Sequence, residues 1–178
     1  MKPIAFSLLI TASLVTATGL RAAEIKLTGE NTSVKFVGSK PDGKHEGSFK
    51  KLSGTFSVDG DVTKAKLEVT LDIDSMVTDA PKLTAHLKSP DFFDAKRFAE
   101  AKFVSKSIKA GADGYVVAGD LTMHGVTHAL SFPAKIDVAN GGVTVSSQFD
   151  LNRHDWGISY GKGKVNDLVK MSLDVKAK

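Results

Sequence analysis

His86, Ser89 and Asp91 have the residue types of a hydrolytic set: a hydroxyl nucleophile, an imidazole to take its proton, and an acid to orient the imidazole. Their spacing admits a plainer reading. Ser89 precedes Pro90 and suits a cap, Asp91 then falls in the first turn after it, and His86 is a polar group at a helix end. His124 and His128 stand four apart like half of a metal site, but the expected hairpin register sets Met123, not His124, opposite His128 and leaves His124 at the turn. Asp74, Asp79 and Asp94 fit turn and cap positions better than paired catalytic acids. The run Asn152-Arg153-His154-Asp155-Trp156-Gly157 offers a charged pair, Arg153 with Asp155, beside the only tryptophan of the chain. Two roles suit that run: a structural ion pair at the end of a strand, or a polar anchor with Trp156 packed over a ligand. H-E-x-x-H and phosphate-cradling glycine loops are absent, and no catalytic, metal or cofactor role is assigned.

These residues sit in a chain that alternates as β-strand almost throughout. Ala65, Leu67, Val69, Leu71 and Ile73 interleave with Lys66, Glu68, Thr70, Asp72 and Asp74, which predicts a strand with one apolar face. Leu52 to Val58 repeats the pattern, Val34 and Phe36 mark an earlier strand, and the polar stretch from Gly38 to Gly47 reads as a rim loop. Downstream, Tyr115 to Met123 is apolar at odd positions and Leu130 to Val138 at even ones. A two-residue turn at Gly125-Val126 satisfies both and sets Leu121 opposite Leu130. Asn140-Gly141 is a type I′ signal, pairing Val138 with Val143, Ile136 with Val145, Ala134 with Ser147 and Phe132 with Phe149. Val169 to Val175 is a last strand, and Phe103 to Ile108 keeps no constant parity.

One stretch breaks the alternation. Asp79 is placed to cap a helix with Pro81 in its first turn, and Leu83 and Leu87 lie on one face. Ser89-Pro90 ends it and begins a turn that carries Phe92 and Phe93. The expectation is an all-β fold: an eight-stranded antiparallel up-and-down barrel, lipocalin-like, with a short helical insertion between the third and fourth strands.

Residues 1–23 read as a cleaved signal peptide, with Lys2 followed by an uncharged run from Ile4 to Thr18 and a cut between residues 19 and 23. Residues 24–178 then form one domain. Without Lys2 and Arg21 the chain keeps 22 basic residues against 20 acidic ones, a net of +2. Lysines such as Lys64, Lys66, Lys170 and Lys176 alternate along strands as a solvated face, which argues against nucleic acid. With no cysteine, neither a disulfide framework nor a lipoprotein anchor arises.

Asp74-Ser75-Met76-Val77-Thr78, His86-Leu87-Lys88-Ser89-Pro90-Asp91-Phe92-Phe93-Asp94, Gly119-Asp120-Leu121-Thr122-Met123-His124-Gly125-Val126-Thr127 and Asn152 to Gly157 follow in an order and spacing that resemble the YceI-like family of polyisoprenoid-binding proteins. The resemblance implies a lipocalin-like barrel, exported to the bacterial periplasm or secreted, that holds an isoprenoid or fatty chain without metal or other cofactor. It departs from the family at Asn31 to Phe36, where the first strand lacks histidine, and at His45, which falls in the rim loop.

The residues support the same expectation. Phe36, Phe56, Leu71, Ile73, Leu121, Phe132 and Phe149 would line a lumen, with Leu83, Leu87, Phe92 and Phe93 as its lid. The small pair Ala134 and Ser147 would leave it hollow, and Arg153 and Trp156 would stand at its mouth. Such a protein binds and carries a lipid without chemistry, touches a membrane transiently, and works as a monomer or homodimer. The rivals are a secreted hydrolase built on Ser89, His86 and an acid, and a ligand-free structural stress protein with a solid barrel.

Overall fold

The computed structural model describes residues 23–178. The expected signal peptide lies outside the described residues, apart from Ala23, which opens the first strand. Eleven antiparallel strands form one strongly curled sheet: β1 (Ala23–Thr28), β2 (Thr32–Lys40), β3 (Gly43–Phe49), β4 (Leu52–Val58), β5 (Lys66–Asp72), β6 (Met76–Thr78), β7 (Glu100–Gly111), β8 (Gly114–Met123), β9 (Val126–Ala139), β10 (Gly142–Asn152) and β11 (Leu168–Ala177). Their order is β1-β4-β5-β7-β8-β9-β10-β11-β2-β3-β6. The helix α1 (Pro81–Lys88), the one α-helix among the described residues, lies between β6 and β7.

Eleven strands replace the expected eight. The three additions are β1, β3 and β6. The first has its own alternation, with Ile25 and Leu27 buried, but follows directly on the expected signal peptide. The stretch from Gly38 to Gly47, expected as a rim loop, is instead the end of β2, a tight turn and most of β3, Gly43–Phe49. The sequence of β3 carries one large apolar residue, so backbone pairing with β2 and β6 holds it rather than a buried face. Gly47 within it is bare because the Phe36 ring from β2 lies across that spot. Three chain segments thus supply strands to both ends of the order: β1 and β2, β3 and β4, β5 and β6. Hydrogen bonds from Lys50 N to Ser75 O (3.2 Å), Asp72 N to Lys51 O (3.1 Å) and Lys176 N to Asn31 O (2.8 Å) stitch their bends.

Registers follow from turn chemistry. Asn140 and Gly141 both take positive φ (53° and 73°), as a type I′ turn requires, and Val143 faces Val138 and Val145 faces Ile136. The recorded ladder ends at Ser146 and Lys135, next to Pro133, which has no N–H to donate; the Ser147 hydroxyl donates to the Pro133 carbonyl instead. The β8–β9 turn corrects the expectation. It is His124-Gly125, with φ of 52° and 75°, so Leu121 faces His128 and Met123 faces Val126. That slip of two residues keeps every side chain on its expected face, because the side-chain period of a strand is two. The parity conflict in β7 comes from a bulge between Ser105 and Ser107, which turns both Phe103 and Ile108 inward.

Gly141 has open space around a Cβ, so its requirement is purely conformational. Gly141→Val should lower stability by about 1–2 kcal/mol, from the left-handed backbone alone. Gly43→Ala, equally free of neighbours and without positive φ, should change stability by less than about 0.5 kcal/mol. Urea midpoints of the two variants test the contrast.

Candidate functional site

The concave face of the sheet divides into a packed half and an open half. The divide is aromatic: the rings of Phe132 and Phe149 stack at 4.7 Å with 16° between planes, and Phe103 tilts against Phe132 at 5.4 Å. Gly119 has no room for a side chain, since a Cβ there would meet the Val104 carbonyl first and then the Phe103 ring. On the far side of this floor Ile108, Val117, Val145 and Val175 are fully buried. On the near side lies a cavity of about 430 Å³, within the span of roughly 300–1,000 Å³ usual for small-molecule sites.

Eight of the eleven strands, all but β1, β4 and β6, contribute residues to the cavity wall. Val34 and Phe36 come from β2, Leu67, Val69 and Leu71 from β5, Leu121 and Met123 from β8, Leu130 and Phe132 from β9, and Met171 and Leu173 from β11. The wall is almost wholly hydrocarbon. Polar groups enter only near the opening, from Ser39, Lys40, His45 and Arg153.

The opening is framed by α1, the turn after it, the β2–β3 hairpin and residues 158–165. Pro81 opens α1 as expected, but Asp79 does not cap it. The capping residue is Ala80, without a side-chain bond. The Asp79 carboxylate is taken up by His45 Nδ1 (2.9 Å) and the Glu46 N–H (3.4 Å), tying β3 to the helix entry. That bond from His45, more than any other contact, holds the Asp79 carboxyl below the usual carboxylate range. The first helical turn is held by Thr84, whose hydroxyl accepts from Thr78 N (2.9 Å). Ser89 ends α1, and Phe92 N donates to its carbonyl (3.1 Å), which delivers Phe92 and Phe93 to the cavity beside Leu83 and Leu87.

Ten of the fourteen expected ligand-binding residues line the cavity: Phe36, Leu71, Leu83, Leu87, Phe92, Phe93, Leu121, Phe132, Phe149 and Arg153. Phe56, Ile73, Ala134 and Trp156 do not; they are buried in the packed core. The hollow expected at Ala134 and Ser147 is filled, since both lie past the aromatic floor. Cavity residues that parity alone could have added are Val34, Leu67, Val69 and Leu173. His45 and Phe49 carried no such signal, because β3 lacks alternation.

The Asn152–Gly157 run does not form the expected ion pair, and of the two residues expected at the mouth only Arg153 reaches the cavity. Asn152 caps a short 3-10 turn through His154 N (3.1 Å), and Gly157 ends it at φ 73°. Arg153 is buried and does not pair with Asp155. Its guanidinium donates to the carbonyls of Ile158 (2.9 Å), Tyr160 (2.7 Å), Val165 (3.2 Å) and Asn166 (3.1 Å), and lies 3.6 Å from Asp167. It is the post around which residues 158–167 are wound. Trp156 is 1% exposed and donates from Nε1 to Leu121 O (2.8 Å), so it packs under β8 rather than over the opening.

The remaining chemistry is likewise engaged. His86 Nε2 meets Asp91 (2.9 Å), but the Ser89 hydroxyl donates to the His86 carbonyl (2.7 Å) and not to the imidazole, so no base faces it. His124 Nδ1 donates to Trp156 O (3.1 Å), and the His128 ring stands edge-on to Trp156 at 5.6 Å. Among the described residues no group of three His, Cys, Asp or Glu is placed to hold a metal ion.

Comparison with known proteins agrees with this geometry. The sequence model described as YceI-like domain matches residues 26–177. A UPF0312 protein of Pseudomonas putida (strain F1) is 35% identical over 138 residues, 73% of this chain and 71% of the relative. One from Shewanella denitrificans is 30% identical over 190 residues, 99% of this chain and 98% of the relative. The crystal structure of Burkholderia cenocepacia BcnA superposes with a TM-score of 0.76 at 25% identity, covering 83% of this chain and 96% of that one. A polyisoprenoid binding domain from Saccharophagus degradans, at 15% identity, shares the fold with a TM-score of 0.71 over 89% of this chain and 99% of that one.

Two outcomes check the site. Ala134→Leu should overpack the solid half, cost about 1–3 kcal/mol in urea unfolding, and leave the contents of the cavity unchanged. Arg153→Met should strand four loop carbonyls, cost about 3 kcal/mol or more, and expose residues 158–167 to early proteolysis.

Proposed function

The chain belongs to the YceI-like domain family, and on that premise we propose that it is an exported lipid carrier, holding a polyisoprenoid or similar long apolar chain inside a lipocalin-like barrel. The observation that carries the reading is the cavity of about 430 Å³ with hydrocarbon walls, left open in an interior whose other half is close-packed. Interiors tolerate few voids, so an unfilled volume of this size is space for a guest. A wall without hydrogen-bonding groups beyond its rim suits a chain better than a sugar or nucleotide. Burial of each CH₂ contributes about 0.8 kcal/mol, enough over several isoprene units to outweigh the ordering of the chain.

The polyisoprenoid-binding description of the Saccharophagus degradans neighbour supports the same ligand class. Family and fold neighbours point to a binding protein rather than an enzyme. The serine of the hydrolytic alternative bonds a backbone carbonyl, which deprives that reading of its nucleophile. The signal-like first 23 residues support passage to the periplasm or beyond, where a water-insoluble chain needs a carrier and a brief membrane contact to load it. A monomer or a homodimer would serve.

Native mass spectrometry of protein purified without denaturation should show added mass that organic extraction identifies as lipid. Met171→Trp, which fills cavity space from β11, should lower that loading about tenfold while the melting temperature of the delipidated protein holds. Protein that is empty when isolated, with a melting temperature indifferent to added isoprenoid, would refute the carrier.

A further inference from the structure

The rim of the cavity presents apolar side chains and lysines to solvent side by side. Six large apolar side chains stand exposed in the described structure, and three of them, Val126, Tyr160 and Leu168, lie at the cavity end. Val126 faces the cavity-lining Met123, and Leu168 precedes the cavity-lining Val169. Tyr160 is 46% exposed, yet one side of its ring meets Phe92 (5.0 Å) and His86 (4.9 Å), so it bridges residues 158–167 to the helix across the opening.

Charge on this segment is one-sided. Lys162 and Lys164 are exposed and make no ion pair among the described residues. The acid of the same segment, Asp167, is taken by His154 (2.6 Å) and Arg153 (3.6 Å). Asp91, near Tyr160, is held by His86 (2.9 Å). Asp155 is the exposed carboxylate nearby that has no such partner. The segment is held from inside by Arg153, so its exposed residues are presented on a fixed frame.

We propose that this rim, Tyr160, Lys162, Lys164 and Leu168, is a docking surface for an anionic phospholipid bilayer that turns the cavity opening toward the headgroup layer. The proposal rests on the carrier reading above. A tyrosine with a wet hydroxyl and an apolar ring suits the membrane–water interface, as do isolated aliphatic groups beside it. Lysines freed from carboxylate partners are drawn to the negative potential of anionic headgroups. A guest that is insoluble in water would then pass between bilayer and cavity without crossing solvent.

The test is co-flotation of natively purified protein with vesicles of phosphatidylcholine alone and of phosphatidylcholine with phosphatidylglycerol. The protein should float with the phosphatidylglycerol vesicles at low salt and detach as salt rises. Lys162→Glu with Lys164→Glu should weaken that binding about tenfold. Lys135→Glu with Lys176→Glu, the same charge change on exposed lysines beyond the packed half, should leave it within about twofold. Tyr160→Ser is the second variant, which should weaken binding with no change of net charge. Equal loss in both lysine pairs would reduce the effect to net charge and overturn the docking surface, as would unchanged binding in the rim variants or no binding by the parent protein. Lipid content is read on the same samples. Lipid-loaded protein that ignores vesicles refutes docking alone, whereas protein empty throughout refutes the carrier reading first.

Discussion

The stack of Phe103, Phe132 and Phe149 is the contact on which the rest of the structure turns. A curled sheet gathers every inward side chain onto one concave face, and by itself that arrangement would fill from end to end. Three rings from β7, β9 and β10, the first reaching across β8, close off the interior at mid-height instead. Beyond them, valines and Ile108 from β7, β8, β10 and β11 meet at core density. Before them, leucines, methionines and phenylalanines line the wall without meeting in the middle. Stability and capacity are therefore housed in separate halves. The packed half carries the fold, which allows the other half to remain open.

Keeping one end open demands an edge that does not collapse, and the polar residues of the chain serve that purpose. Arg153 satisfies four carbonyls of the segment at the opening. His45 and Asp79 fasten the β2–β3 hairpin to the helix entry, and His124 joins the β8–β9 turn to the turn containing Trp156. Arg153, Asp79 and His124 are among the residues weighed for chemistry in the sequence. Residue type alone does not separate a catalytic imidazole from one that tethers a loop. The distinction lies in what the second partner of each group is, and here the partners are backbone carbonyls and structural carboxylates.

The two ends of the sheet meet through shared chain rather than through one continuous ladder. Each of the first three long segments bends once, at residues 29–31, 50–51 and 73–75, and serves both ends of the order. Three strands lacked a clean sequence signal, each for its own reason: β1 alternates but adjoins the expected signal peptide, and β6 has three residues, too few to show a period. Gly43–Phe49 is paired on both edges and nearly devoid of apolar residues.

Sequence by itself determined the all-β class, the inward face of β5, β8, β9, β10 and β11, the place of the helix, and the Asn140-Gly141 turn. These are local properties, set by a two-residue period and by backbone angles that few residues tolerate. It also brought ten of the expected ligand-binding residues onto one wall, because side-chain parity survives even a two-residue slip such as the one at His124-Gly125. Tertiary structure decided where along the strands the interior is empty. Ala134 and Leu130 alternate alike along β9, yet Ala134 lies past the aromatic floor and Leu130 lines the cavity before it. Depth within a curled sheet depends on which rings from distant strands meet, and no single strand contains that information.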